Sequence, residues 1–96
     1  MAVGILALLK ADEGRGDELG KFLAEGRDLA AAESGTVTWH AFKVDDQTYG
    51  VFDTFEGEDG RQAHLNGELA GRLGEVAADL LAGDPEIKFV EIVASK

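Results

Sequence analysis

Residues 35–65, GTVTWHAFKVDDQTYGVFDTFEGEDGRQAHL, decide the fold. Thr36 to Val44 is rich in β-branched and aromatic residues and reads as a strand. Asp45-Asp46-Gln47-Thr48 is a turn cluster, because Asp side chains bond nearby backbone and tolerate turn geometry. Tyr49 to Glu56 is again aromatic and β-branched, a second strand. Strands joined by so short a turn are antiparallel neighbours. The stretch then opens a helix that carries His64. It holds Trp39, Phe42, Tyr49, Phe52 and Phe55, and both histidines, His40 and His64. Any chemical site is expected to draw most of its residues from here.

Upstream, Val3 to Lys10 is almost continuously apolar, with Val3, Ile5, Ala7 and Leu9 on one side and Leu6 and Leu8 on the other. A strand apolar on both sides is covered on both sides and belongs at the centre of its sheet. A charged, Gly-rich turn over Asp12–Asp17 follows. Leu19, Phe22, Leu23, Leu29 and Ala30 then recur at helical spacing, with Asp17 as the expected N-cap and Gly35 as the stop. Gly20 and Gly26 lower the intrinsic stability of that helix, each by about 1 kcal/mol relative to Ala. Close packing against a sheet is the expected reason for them.

Downstream, Leu65, Leu69, Leu73, Val76, Ala77 and Leu80 form a second helical stripe, interrupted by Asn66-Gly67. The spacing predicts a short helix ending near His64–Asn66 and a longer one from about Glu68 to Ala82. Gly83-Asp84-Pro85 stops it, and Ile87 to Ala94 is a last strand with apolar residues on both sides. The order β-α-β-β-α-β, over a single domain spanning residues 1–96, predicts an α+β, ferredoxin-like sandwich: one four-stranded antiparallel sheet with helices on one face. Two helical regions cover only one face. The other face carries apolar residues too, so a second copy of the chain is the expected cover, giving a homodimer.

Composition narrows the function classes. Nine basic against nineteen acidic residues give a net charge of −10 among 96 residues. Such a chain repels phosphate backbones and anionic lipid, which argues against nucleic-acid and membrane partners. There is no cysteine, hence no disulfide framework or thiolate metal site, which fits the cytoplasm. The apolar run at Ala2–Leu9 lacks a preceding basic residue and is read as a buried strand, not a leader. Two histidines 24 positions apart match no recognised metal-ligand spacing. Gly14-x-Gly16 lacks the third glycine and parallel βαβ context of a dinucleotide fingerprint.

The strand order, the Gly35 that opens the hairpin, the Phe55-Glu56 strand end and the helix carrying His64 together resemble the antibiotic-biosynthesis monooxygenase (ABM) family of dimeric α+β barrels. Gly57 stands where that family often has a Trp. The resemblance implies a dimer with its sheets face to face and an apolar cavity between sheet and helices in each subunit. It also implies activities that range from oxygenation of phenols, anthrones or quinols without metal or flavin, through haem degradation, to isomerisation. The haem-degrading branch requires an Asn in the first strand along with the Trp and His; Val3–Lys10 contains no Asn. The implied function is therefore a cofactor-independent monooxygenase acting on a small aromatic or quinol-type compound. The rival is a non-catalytic small-molecule-binding or stress-related dimer of the same fold.

Within that frame His64 is the candidate catalytic residue. A neutral imidazole near pH 7 takes a proton from a phenol or enol, and Glu56 at the preceding strand end is the expected partner of its second nitrogen. The plainer alternative is a helix histidine bonded to a neighbouring carboxylate or carbonyl. Trp39, His40, Phe42, Phe52 and Phe55 are the candidate substrate-binding residues, the aromatic rings as walls for a flat ligand. For most of them, ordinary core or dimer packing is the competing role. Alternation along the strand puts Trp39 on one side and His40 and Phe42 on the other. No cofactor and no metal is expected.

Overall fold

Thr36–Lys43 (β2), Thr48–Phe55 (β3), Val3–Lys10 (β1) and Glu86–Glu91 (β4) lie side by side in that order, every pair antiparallel. This is the ferredoxin-like arrangement expected from the element order. The computed structural model describes residues 2–96. β1 is central, paired with β3 on one side and β4 on the other, as its two-sided apolar pattern predicts. At the β2–β3 turn the Asp45 carboxylate accepts hydrogen bonds from the Gln47 and Thr48 amides at 3.0 and 2.8 Å. That side-chain turn holds the two long strands in register.

Among the described residues the helices are Gly16–Glu25 (α1), Arg27–Ala31 (α2), Glu58–Leu65 (α3) and Glu68–Leu80 (α4). They cover the sheet face formed by Ile5, Ala7, Leu9, Tyr49, Val51, Asp53 and Phe55. Leu9, Leu19 and Phe55 are fully buried there. The sequence predicts one helix from Leu19 to Ala30; the chain instead breaks at Gly26. A Cβ on Gly26 would stand 2.9 Å from the Leu69 side chain, so α4 crosses tight against this joint. At Gly20 a Cβ would meet the Tyr49 ring at 3.0 Å, the close helix–sheet approach expected of it. The predicted N-cap is also displaced. Arg15 occupies that position and Asp17 lies in the first turn, where its charge favours the helix N-terminus.

Alternation sends Leu6, Leu8, His40, Phe42, Phe52 and Val90 to the opposite face, where no helix packs. There the Phe42 ring lies over Gly50, leaving no room for a Cβ. The last strand ends at Glu91, short of the predicted Ala94. Among the described residues no helix is long and apolar enough to cross a membrane.

Candidate functional site

Between the helix-covered sheet face and α4 lies a cavity of about 410 Å³. Ile5, Ala7 and Val51 form its floor. Leu65, Leu69 and Leu73 form its roof, Phe22 and Leu23 of α1 close one side, and Ile87 of β4 borders another. The walls are apolar with three exceptions: Trp39, Asp53 and His64.

His64 is delivered by the last turn of α3, and Arg61 fixes that helix. The buried Arg61 guanidinium donates to the Glu58 carboxylate at 2.9 and 2.6 Å, and to the Gly4 and Val90 carbonyls at 3.2 and 3.3 Å. It also sits 4.6 Å above the Phe89 ring. One side chain therefore ties α3 to β1 and β4 and sets where His64 falls. Behind His64 the fully buried Phe55 ring packs with centroids 5.4 Å apart.

The imidazole is held at both nitrogens. Nδ1 lies 2.6 Å from Glu33 Oε1, and Nε2 lies 3.1 Å from Asp53 Oδ2. Glu33 also accepts from the Thr36 hydroxyl at 2.8 Å. Its other oxygen lies where a Cβ on Gly67 would be 3.0 Å away, so the Asn66-Gly67 break gives this carboxylate its space. Burial alone would lower the His64 pKa. The two facing carboxylates, Asp53 first and Glu33 second, outweigh it and raise the pKa to about 9. At pH 7 His64 is thus an imidazolium with a proton on each nitrogen.

Both ring nitrogens face carboxylates that raise the His64 pKa, which disfavours the neutral general base expected from the sequence. Glu56 is exposed and is not the partner; Glu33 and Asp53 are. The expected substrate-binding residues divide. Trp39 lines the cavity, while Phe55 supports His64 from behind. His40, Phe42 and Phe52 face the other side of the sheet and do not reach this cavity, because the period of two places them opposite Trp39 and Asp53.

Asp53 is the residue that sequence reasoning missed. It is 1% exposed, and on β3 it shares a face with Tyr49, Val51 and Phe55. A charge in the buried phase of an alternating strand is the signal that marks it. One of its oxygens meets His64; the other, Oδ1, is buried with no hydrogen-bond partner. Trp39 Nε1 is buried without a partner as well. Trp39 and Asp53 are direct cross-strand neighbours in the β2–β3 register. Among the described residues no group of three or more side chains is placed to hold a metal ion.

No protein-family model matches the chain, and no curated protein does. Solved structures do. NE2512 of Nitrosomonas europaea, a protein of unknown function, is 46% identical, with 99% of this chain and 92% of that one covered and a TM-score of 0.96. A candidate antibiotic biosynthesis monooxygenase of Caulobacter crescentus CB15 superposes with a TM-score of 0.83 at 20% identity, over 97% of this chain and 91% of that one. SnoaB of Streptomyces nogalater, a cofactor-independent oxygenase solved as its N63A mutant, superposes with a TM-score of 0.81 at 14% identity, over 98% and 95%.

Proposed function

Because the chain belongs to one family with NE2512 and has the fold of the antibiotic-biosynthesis monooxygenase proteins, we propose that its cavity takes a small, neutral, mostly aromatic compound and oxygenates it without metal or flavin. The observation that carries this reading is an apolar cavity of about 410 Å³ that ends on His64 and Asp53. A core packed solid at His64 would have pointed instead to a scaffold with no ligand.

The chemistry suited to such a site starts with loss of a proton from a phenol, quinol or anthrone. The resulting electron-rich anion reduces dioxygen. For a ring methylene, one oxygen atom becomes the carbonyl, and the other leaves as water with the two hydrogens of the methylene. His64 enters by holding the Asp53 carboxylate in place to take that proton, its two nitrogens being paired with Asp53 and Glu33. The proton goes to a carboxylate and not to the imidazole. The working unit is a homodimer in the cytoplasm, with the open sheet face as its interface.

Oxygen uptake by purified, metal-stripped protein with a panel of hydroquinones and anthrones tests the reading. Substrate-dependent uptake with a stoichiometric ketone or quinone product is expected. A second reading, a binding protein without turnover, is favoured by Gly57, which stands at the N-cap of α3 where the resembled family has its Trp. Tight ligand binding with no uptake across the panel would put that second reading first.

A further inference from the structure

Among the described residues, the two buried side-chain polar atoms without partners are complementary: Asp53 Oδ1 only accepts, and Trp39 Nε1 only donates. Leaving such groups unsatisfied is costly, and a folded protein rarely tolerates it without a use. They stand on paired residues of β2 and β3, on side chains that both line the cavity, and each atom is closed to the cavity's open space until its side chain turns toward it. A single hydroxyl group satisfies both, since its oxygen accepts while its hydrogen donates.

We propose that Asp53 and Trp39 form a seat for one hydroxyl of a neutral aromatic ligand, the hydroxyl donating to Asp53 Oδ1 and accepting from Trp39 Nε1. This rests on the cavity being a ligand site, as proposed above, and it names what the ligand must carry there. Two further features shape the selectivity. His64 occupies the other oxygen of Asp53, so Oδ1 is the free acceptor. The cluster of Glu33, His64 and Asp53 sums to one negative charge, in a chain of net charge −10. A carboxylate ligand would bring like charge against Oδ1 and would be rejected. Asp53 and Trp39 therefore set specificity at the reacting end, while His64 and Glu33 act as positioning residues that hold the Asp53 carboxylate in place.

The test is equilibrium binding of four probes of one shape: 1-naphthol, 1-methoxynaphthalene, naphthalene and 1-naphthoate. The expected order is 1-naphthol tighter than the methyl ether by about tenfold or more, the range of one charge-assisted hydrogen bond. The ether, which retains the acceptor, should bind more tightly than naphthalene, and naphthoate should be weakest. Trp39 is the only tryptophan, so a single indole N–H resonance reports the seat directly. That resonance should move downfield with 1-naphthol and the ether and not with naphthalene.

Asp53→Asn removes the charge and should both shrink the preference for the hydroxyl and improve naphthoate binding. Trp39→Phe should cut the preference for the ether over naphthalene while leaving that for the hydroxyl over the ether. If Asp53→Asn does not fold, the wild-type ranking and the indole shift still decide. Equal binding of 1-naphthol, ether and naphthalene overturns the seat while leaving the cavity a ligand site. An indole resonance already downfield and unmoved by 1-naphthol means that an internal water alone fills the seat, and overturns it too. Failure of every probe to bind the folded protein would instead remove the proposed function itself.

Discussion

At the scale of single residues, His64 keeps its proton because two carboxylates face it, and that has a consequence for stability. Its pKa is raised from 6.5 in the unfolded chain to about 9 in the folded one. The stabilisation is therefore fully present below about pH 6.5 and is lost as the pH rises through about 9. Melting temperature should fall across that window in the wild type and stay flat in His64→Gln; a flat wild-type profile would remove the imidazolium. Nitrogen-15 shifts of the His64 ring at pH 7 should show both nitrogens protonated. His64→Ala leaves Asp53, 1% exposed, and Glu33 without their shared cation. Breaking a buried pair in this way costs about 3–5 kcal/mol. Thermal or denaturant unfolding that places His64→Ala within about 1 kcal/mol of wild type would contradict this. His64 was legible as a candidate site residue from the short Phe55-Glu56 and helix-His pattern. Its partner Glu33 was not: it is 31 positions away, on the other side of the β2–β3 hairpin, and nothing local in sequence pairs the two.

At the scale of elements, the first three strands were legible to within a residue because a period of two and a turn cluster are local signals, while the last ends three residues before the predicted Ala94. β1 and the β2–β3 hairpin stand where alternation and Asp45 place them. The same alternation separates Trp39 from His40, Phe42 and Phe52, so the pleat divides the candidate substrate-binding residues between the two faces of the sheet. The break between α1 and α2 was not legible. Gly26 is intrinsically only a weak helix position, and the contact that exploits it, Leu69 of α4, is a tertiary fact. The glycines of α4 make the opposite case. A Cβ at Gly71 meets nothing within 4 Å, and the position is exposed, so Gly71→Ala keeps every contact and removes backbone freedom from the unfolded chain. It should stabilise the protein by about 1 kcal/mol, with ligand binding unchanged. Gly74→Ala meets nothing within 4 Å either, but Gly74 lines the cavity. It should give a similar gain in stability and reduce the space for the largest ligands. Equal effects of the two variants on ligand size would mean that α4 does not form the cavity roof.

At the scale of the whole molecule, the sheet has one face under helices and one face bare. Leu6, Leu8, Phe42, Phe52 and Val90 share the bare face, and with no helix packed there they are only partly covered by their neighbours. Such a patch across a sheet is the kind that monomeric proteins do not leave in water. A second copy would bring an identical patch, and a twofold axis parallel to the sheets, in the plane between them, would let the two faces meet. An obligate interface of this kind buries more than roughly 2,000 Å² in total, roughly half of it on each partner, against the 5985 Å² that one chain exposes alone. The charge acts in the other direction. Each copy carries −10, so two copies would repel at long range while their apolar faces would attract at contact. Salt shortens the repulsion to a Debye length of about 8–10 Å near physiological strength and leaves the hydrophobic contact intact. The dimer should therefore tighten as salt rises, the reverse of an assembly held by opposite charges. Val90→Glu adds a charge within the patch and a like charge across the twofold axis, and Leu8→Glu does so nearer its centre; both should raise the dimer dissociation constant by at least about a hundredfold. Neither touches the cavity on the far side of the sheet, so the variants should still bind ligands of that cavity as monomers unless the partner closes its mouth. Sedimentation equilibrium across a salt series measures all of this. A wild-type protein that is a stable folded monomer at micromolar concentration, or variants that dimerise unchanged, would show that the bare face has another use.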